Sequence, residues 1–97
     1  MRYKLRFHEK ALAEWNKLDG AVRAMFKKKL AERLENPRVP AAALSSMDDC
    51  YKIKLQSVGY RLVHRVDDEI VFVTVIAVGK RERQAAYDAA KTRVGED

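Results

Sequence analysis

Lys52, Lys54, Arg61, Arg81 and Tyr87 are the side chains of this sequence whose types and spacing could do chemistry, and that chemistry is the handling of a phosphodiester. On a strand, Lys52 and Lys54 point the same way, opposite to Tyr51, Ile53 and Leu55. If the following turn sets Lys54 beside Arg61, then Arg61 and Arg65 join that face and four cations crowd one side of two adjacent strands. Like charges so placed cost roughly 0.2–1 kcal/mol for each opposed pair, a cost that a bound phosphate would remove. The alternative is a solvated polar face. Neighbouring positive charge also disfavours protonation of an amine, which moves a lysine toward the range where it can act as a general base. Arginine stays charged and presents a planar fork, so Arg61 and Arg81 suit binding phosphate oxygens and stabilising a pentacovalent phosphorane. Tyr87 can stack on a base or orient a hydroxyl.

Other reactive types are less well placed. A histidine pair would cleave RNA by acid and base catalysis, but His64 shares parity with Leu62 and Val66 and so faces inward. Cys50 has no histidine of matched spacing and reads as a small strand residue. As the only cysteine it excludes an internal disulfide, and with His8 and His64 it supplies no metal-ligand spacing, so neither a structural metal nor a cofactor is expected. Asp67-Asp68-Glu69 reads as a turn and lacks the pattern of a calcium loop. Lys27, Lys28 and Lys29 read as a solvated helix face with room for auxiliary contacts to RNA or an acidic partner, and Trp15 as core.

The elements that must position these residues follow from periodicity. Residues 2–7 alternate, with Tyr3, Leu5 and Phe7 on one side, as a half-buried strand does. From Glu9 the spacing of Ala11, Leu12, Trp15 and Leu18 is helical until Asp19-Gly20. Val22, Met25, Phe26, Leu30 and Leu34 form the stripe of a second helix that Pro37 ends. Residues 36–49 carry Pro37 and Pro40 without periodicity and form a long loop. Two-residue alternation returns at Cys50, turns at Ser57-Val58-Gly59, and continues from Tyr60 to Val66. Ile70 to Val78, apolar on both faces, reads as a central strand ended by Gly79. Arg83 to Arg93 reads as a short helix, and residues 95–97 as a frayed tail. The expected fold is α+β: an N-terminal strand and helical hairpin packed on a mainly antiparallel sheet, with a short C-terminal helix.

Ninety-seven residues, 47% of them hydrophobic, suffice for one core, so residues 1–97 are expected to be a single domain. The net charge of +6 favours a polyanionic partner, whether nucleic acid or acidic protein. The apolar stretch at Ile70 to Val78 is too short to span a membrane and no signal segment opens the chain, so a cytoplasmic protein without membrane contact is expected.

Cys50-Tyr51-Lys52-Ile53-Lys54-Leu55, Gly59-Tyr60-Arg61-Leu62-Val63, Val78-Gly79-Lys80-Arg81-Glu82-Arg83 and Tyr87 closely resemble the RelE family of bacterial toxins, within the RelE/ParE superfamily. The resemblance runs from Tyr3 almost to Val94 and includes the Trp15 helix, Lys27-Lys28-Lys29-Leu30 and Asn36-Pro37-Arg38. It implies a RelE-like, microbial-RNase-like fold and the toxin of a type II toxin-antitoxin system. Such a toxin is a ribosome-dependent endoribonuclease, or mRNA interferase, that cuts mRNA in the A site by 2′-hydroxyl attack and inhibits translation. Carried over by position, Lys52 and Lys54 would activate the 2′-hydroxyl or stabilise developing charge, and Arg61 would hold the phosphate. Arg81 would stabilise or protonate the leaving oxygen, and Tyr87 would orient the nucleotide. Lys27, Lys28, Arg65, Lys80 and Arg83 would add RNA or ribosome contacts.

The implied partners are a RelB-type antitoxin that wraps the toxin and neutralises the cationic face, the 70S ribosome with mRNA, and operator DNA only through the antitoxin complex. One departure stands in the loop before Cys50: where relatives carry an arginine, this chain has Ser45. Two rival functions share these features in part. A ParE-like inhibitor has the same fold but acts on DNA gyrase and generally lacks the RNA-cleaving set, and an RNA-binding module would bind without cutting.

Overall fold

The structure is a computed structural model that describes residues 2–81 and 85–94, so Arg83 and the tail at 95–97 lie outside the described residues. The chain runs β1 (Lys4–Phe7), α1 (Glu9–Asn16), α2 (Gly20–Glu35), a 3₁₀ turn (Pro40–Ala42), β2 (Cys50–Leu55), β3 (Tyr60–Asp67), β4 (Phe72–Lys80) and α3 (Ala85–Val94). The strands form one sheet in the order β1-β4-β3-β2. β1 is parallel to β4 and the other pairs are antiparallel, so the sheet is mixed and the α+β expectation holds.

Burial explains why β4 is apolar on both sides. The α1–α2 hairpin covers one face of the sheet through Trp15, Phe26 and Leu30 against Ile53, Leu62 and Val75. α3 covers the other through Ala86 and Ala90 against Val63, Ile76 and Ala77. α1 starts at His8, whose side chain accepts a hydrogen bond from the Lys10 amide at 3.1 Å and so satisfies a free helix donor.

Several boundaries differ from those that periodicity suggests. Leu12 and Met25 fall outside the buried stripes, 44% and 37% exposed, because each helix packs on the sheet along a narrow strip. Ile70 belongs to the β3–β4 turn, not to β4: Asp67 Oδ1 accepts from the amides of Glu69 and Ile70, closing an Asx-type turn that swings Ile70 outward. Gly79 does not end β4, which continues to Lys80. Its missing side chain serves packing, since a Cβ there would stand 3.4 Å from the Ala86 amide nitrogen.

β1 pairs with β4 only as far as Val75. Beyond it, Glu14 Oε1 accepts from the Val78 amide at 3.1 Å, and Arg93 Nη1 donates to the Ile76 carbonyl at 2.9 Å. Arg93 and Glu14 also bond each other through both nitrogens, at 2.7 and 2.8 Å. This pair joins α1, β4 and α3 and satisfies backbone groups that would otherwise lack strand partners. The long loop is tied to the outer edge of β2 by an Ala43–Tyr51 bridge and a Leu44-to-Cys50 hydrogen bond. No helix among the described residues is long and apolar enough to cross a membrane.

Candidate functional site

The β2–β3 register sets Lys54 directly opposite Arg61, as the parity reading requires, and Lys52 opposite Val63. Arg61 in turn faces Gly79 on β4. Because Gly79 carries no side chain, the start of α3 comes down beside it, and the guanidinium of Arg61 lies over the Tyr87 ring, 5.1 Å from its centroid. Arg81 arrives by a backbone route. Gly59 holds the tight turn with φ +69° and donates to the Leu55 carbonyl at 2.9 Å, while its own carbonyl accepts from the Arg81 amide at 2.7 Å. A cleft of about 190 Å³ results, lined by Lys54, Leu55, Gln56, Gly59, Tyr60, Arg61 and Arg81.

Charge in this cleft is uncompensated. Among the described residues no carboxylate forms an ion pair with Lys52, Lys54, Arg61 or Arg81. The charge on Lys52 is the chief influence that holds the Lys54 amine below the usual lysine range, with desolvation and Arg61 adding to it. The Tyr87 hydroxyl is buried and has no hydrogen-bond partner among the described residues.

The other sequence-selected residues sort themselves by register and burial. Arg65 keeps the parity of Arg61, but the pairing that brings Lys54 to Arg61 sets Arg65 against Cys50, roughly 13 Å along the strand. It borders a separate acidic concavity with Arg38, Asp49 and Asp67 to Glu69, so of the four cations on β2 and β3 only Lys52, Lys54 and Arg61 stay together. Lys80 is exposed opposite Tyr60. Lys27 and Lys28 are exposed on α2, and Lys27 borders an apolar groove between β1 and α2 rather than the cleft. Ser45 is exposed and lines no part of the cleft.

His64 is fully buried and stacked on Tyr51 with ring centroids 5.7 Å apart. Its Nε2 lies 3.0 Å from Arg33 Nη1. A guanidinium only donates, so Nε2 accepts and the ring proton sits on Nδ1, a buried donor without a partner among the described residues. Burial first, and the Arg33 charge second, push the His64 pKa down to about 3. The ring is therefore neutral and removed from acid–base chemistry. Burial likewise pushes the Cys50 thiol up to about 11, which leaves it protonated and unsuited to nucleophilic attack at neutral pH.

Arg33 is the site-adjacent residue that sequence reasoning missed. It reaches from α2 toward the outer edge of β2 and, with Val39, Ala41, Ala42, Lys52 and Lys54, lines a second cleft of about 360 Å³. In the sequence it is one more charge on a polar helix. Its only signal is its position three residues after Leu30 and one before Leu34, on the flank of the buried stripe.

Comparison with known proteins gives a consistent set. The family described as the ParE toxin of the type II toxin-antitoxin system parDE matches residues 5–85. The chain is 57% identical over 94 residues to the mRNA interferase toxin RelE of Escherichia coli strain K12, covering 97% of this chain and 99% of that protein. Among solved structures, a double mutant of the E. coli toxin RelE in the free state superposes with a TM-score of 0.90 at 55% identity, covering 97% of this chain and 99% of that one. The same double mutant in complex with a peptide of the antitoxin RelB gives 0.81 at 57% identity, covering 93% and 95%.

Proposed function

The chain belongs to the RelE/ParE family of type II toxins, and from that premise we propose that it is an mRNA interferase, an endoribonuclease that cuts mRNA held in the ribosomal A site. The observation that carries this reading is the convergence of Lys54, Arg61 and Arg81 on one open cleft with no counter-ion among the described residues, beside Lys52 and with Tyr87 under Arg61.

The reaction asks for three things that this set supplies. The 2′-hydroxyl must lose its proton as O2′ attacks the adjacent phosphorus. Lys54, held below the usual lysine range by Lys52, is the base whose ionisation is already displaced toward that task. The phosphorane gains negative charge in its equatorial oxygens, which Arg61 stabilises from a position fixed by the Tyr87 ring. The P–O5′ bond then breaks, and Arg81, anchored to the β2–β3 turn, stabilises the departing oxygen as it takes up a proton from water. The products are a 2′,3′-cyclic phosphate and a 5′-hydroxyl. Tyr87 orients the nucleotide through the Arg61 guanidinium that its ring supports.

The ribosome supplies the RNA conformation, so the cleft itself can stay small and open. A RelB-type antitoxin whose acidic groups meet the same cations would keep the toxin silent in the cytoplasm, and operator DNA would be met only through that complex. The ParE name of the matching family favours a second reading, inhibition of DNA gyrase. That match ends at residue 85, short of Tyr87, and gyrase inhibition gives the cation cleft no task.

Primer extension on mRNA translated in a purified system is the test. Codon-positioned 5′ ends that require ribosomes support the reading. Arg81→Ala is expected to lower the saturating rate roughly 10²–10³-fold while changing ribosome affinity far less. Intact mRNA together with loss of gyrase supercoiling would move the protein to the second reading.

A further inference from the structure

Beyond the reaction cleft, Arg33 is a partly buried cation without a role. Arg33 is half-buried, and burial holds its pKa below the usual arginine range. Its side-chain partner, His64, is neutral and cancels none of its charge. Glu32, its exposed neighbour on α2, favours the charge through space, but no carboxylate among the described residues stands within ion-pair distance of it. A half-buried guanidinium with only a screened carboxylate nearby is well suited to take an anion from outside the chain.

The geometry points to a second RNA subsite in the cleft between Arg33 and Lys52, one that takes the nucleotide adjoining the scissile phosphodiester. This deepens the reading of the chain as an mRNA-cutting toxin and rests on it. Lys54 lines both clefts, so they meet at one side chain and a single strand passing Lys54 enters both. Lys52 and Lys54 are two residues apart on β2, roughly 7 Å, a span comparable to the step between successive phosphates of an extended strand. Arg33 and Lys52 bind the neighbouring phosphate. Val39, Ala41 and Ala42 give the sugar and base an apolar wall, held in shape by the Ala42-to-Val39 hydrogen bond and the Ala43–Tyr51 bridge. The contact with His64 Nε2 pre-orders the guanidinium and leaves its other donors for the phosphate. An acidic protein segment would satisfy the same charges, but it would not explain why this cleft continues into the reaction cleft through Lys54.

Single-turnover cleavage on programmed ribosomes tests the assignment, using Arg33→Ala, Arg33→Lys and Ala41→Glu together with mRNAs carrying an uncharged methylphosphonate next to the scissile phosphate on either side. Arg33→Ala is expected to raise the half-saturating concentration roughly tenfold, with a smaller change in saturating rate and partial rescue by lysine. Ala41→Glu alters an exposed position of the 3₁₀ turn, retains both Arg33 and His64, and is expected to weaken half-saturation as well. A methylphosphonate on one side should weaken the parent protein by a similar factor and add nothing to Arg33→Ala. Unchanged half-saturation in both Arg33→Ala and Ala41→Glu would overturn the subsite, as would equal methylphosphonate penalties in parent and Arg33→Ala on both sides. Variants that cut normally but lose antitoxin affinity would also overturn it and assign the cleft to the protein partner. A parent protein that binds programmed ribosomes without cutting refutes the mRNA-cutting reading instead, and the subsite is then judged on the same series of binding affinities.

Discussion

Replacing His64 with phenylalanine should remove a distinct part of the acid sensitivity of this fold. In the folded protein the imidazole titrates at about 3 against 6.5 when exposed. Between those values the unfolded chain binds the extra proton and the folded chain does not, so unfolding becomes easier as pH falls. Stability is thus fully present above about pH 6.5 and declines by about 1.4 kcal/mol for each pH unit below it, until the folded pKa is reached. From pH 7 to 4.5 the loss attributable to this one ring is about 3 kcal/mol, a sizeable share of the total for a domain of this length. Phenylalanine retains a ring to stack on Tyr51 and cannot titrate. At pH 7 its net effect combines two opposing changes: the orphaned Nδ1–H disappears, and Arg33 loses its acceptor. The pH slope is free of that ambiguity, because carboxylate titrations such as that of Asp68 are common to both proteins and cancel in the difference. Urea denaturation of parent and His64→Phe at pH 7 and 4.5 measures it directly. Equal losses in the two proteins would refute the buried, neutral assignment of His64.

Three further outcomes follow from the geometry. Gly59→Ala places a side chain in open space but at φ +69°, so a loss of about 1 kcal/mol, read from the urea midpoint, should come from backbone strain alone, with asparagine losing less. Glu14→Ala leaves Arg93 and the Val78 amide without a shared acceptor and should cost roughly 3 kcal/mol, with faster hydrogen exchange concentrated in α3. The cleavage rate should rise with pH and level off at the lowered Lys54 pKa. In Lys52→Met the break should move to higher pH, because the chief charge that depresses Lys54 is gone.

The hairpin carrying the cations was legible in the sequence because strand parity is a two-state property. Once Lys52 and Lys54 oppose Ile53, only the turn remains to be fixed, and Gly59 fixes it. Parity does not bring Arg65 to the cluster, since it places a residue on a face but does not say how far along it lies. Ile70 reads as strand because an apolar residue inside an apolar run carries no mark of the Asx turn that ejects it. Arg33 was invisible for a deeper reason. Its meaning comes from where the end of α2 meets the edge of β2, a contact between elements about twenty residues apart that no local period encodes. The Glu14–Arg93 pair shares that character, joining helices from opposite ends of the chain.

Whether the cationic face is a working surface or merely a solvated one can be decided by stability. A solvated face mixes signs of charge, so neutralising one lysine changes little. Here Lys54 stands opposite Arg61 and beside Lys52, with no acid among the described residues to offset them. The folded state therefore gathers repulsion that the unfolded chain disperses. Lys54→Met should raise the melting temperature, by more at low ionic strength than at high, where screening already weakens the repulsion. The same substitution should abolish cleavage, so stability and activity move in opposite directions at one residue. If the melting temperature stays fixed across salt, the clustered charges carry no cost, and their persistence no longer calls for a phosphate ligand.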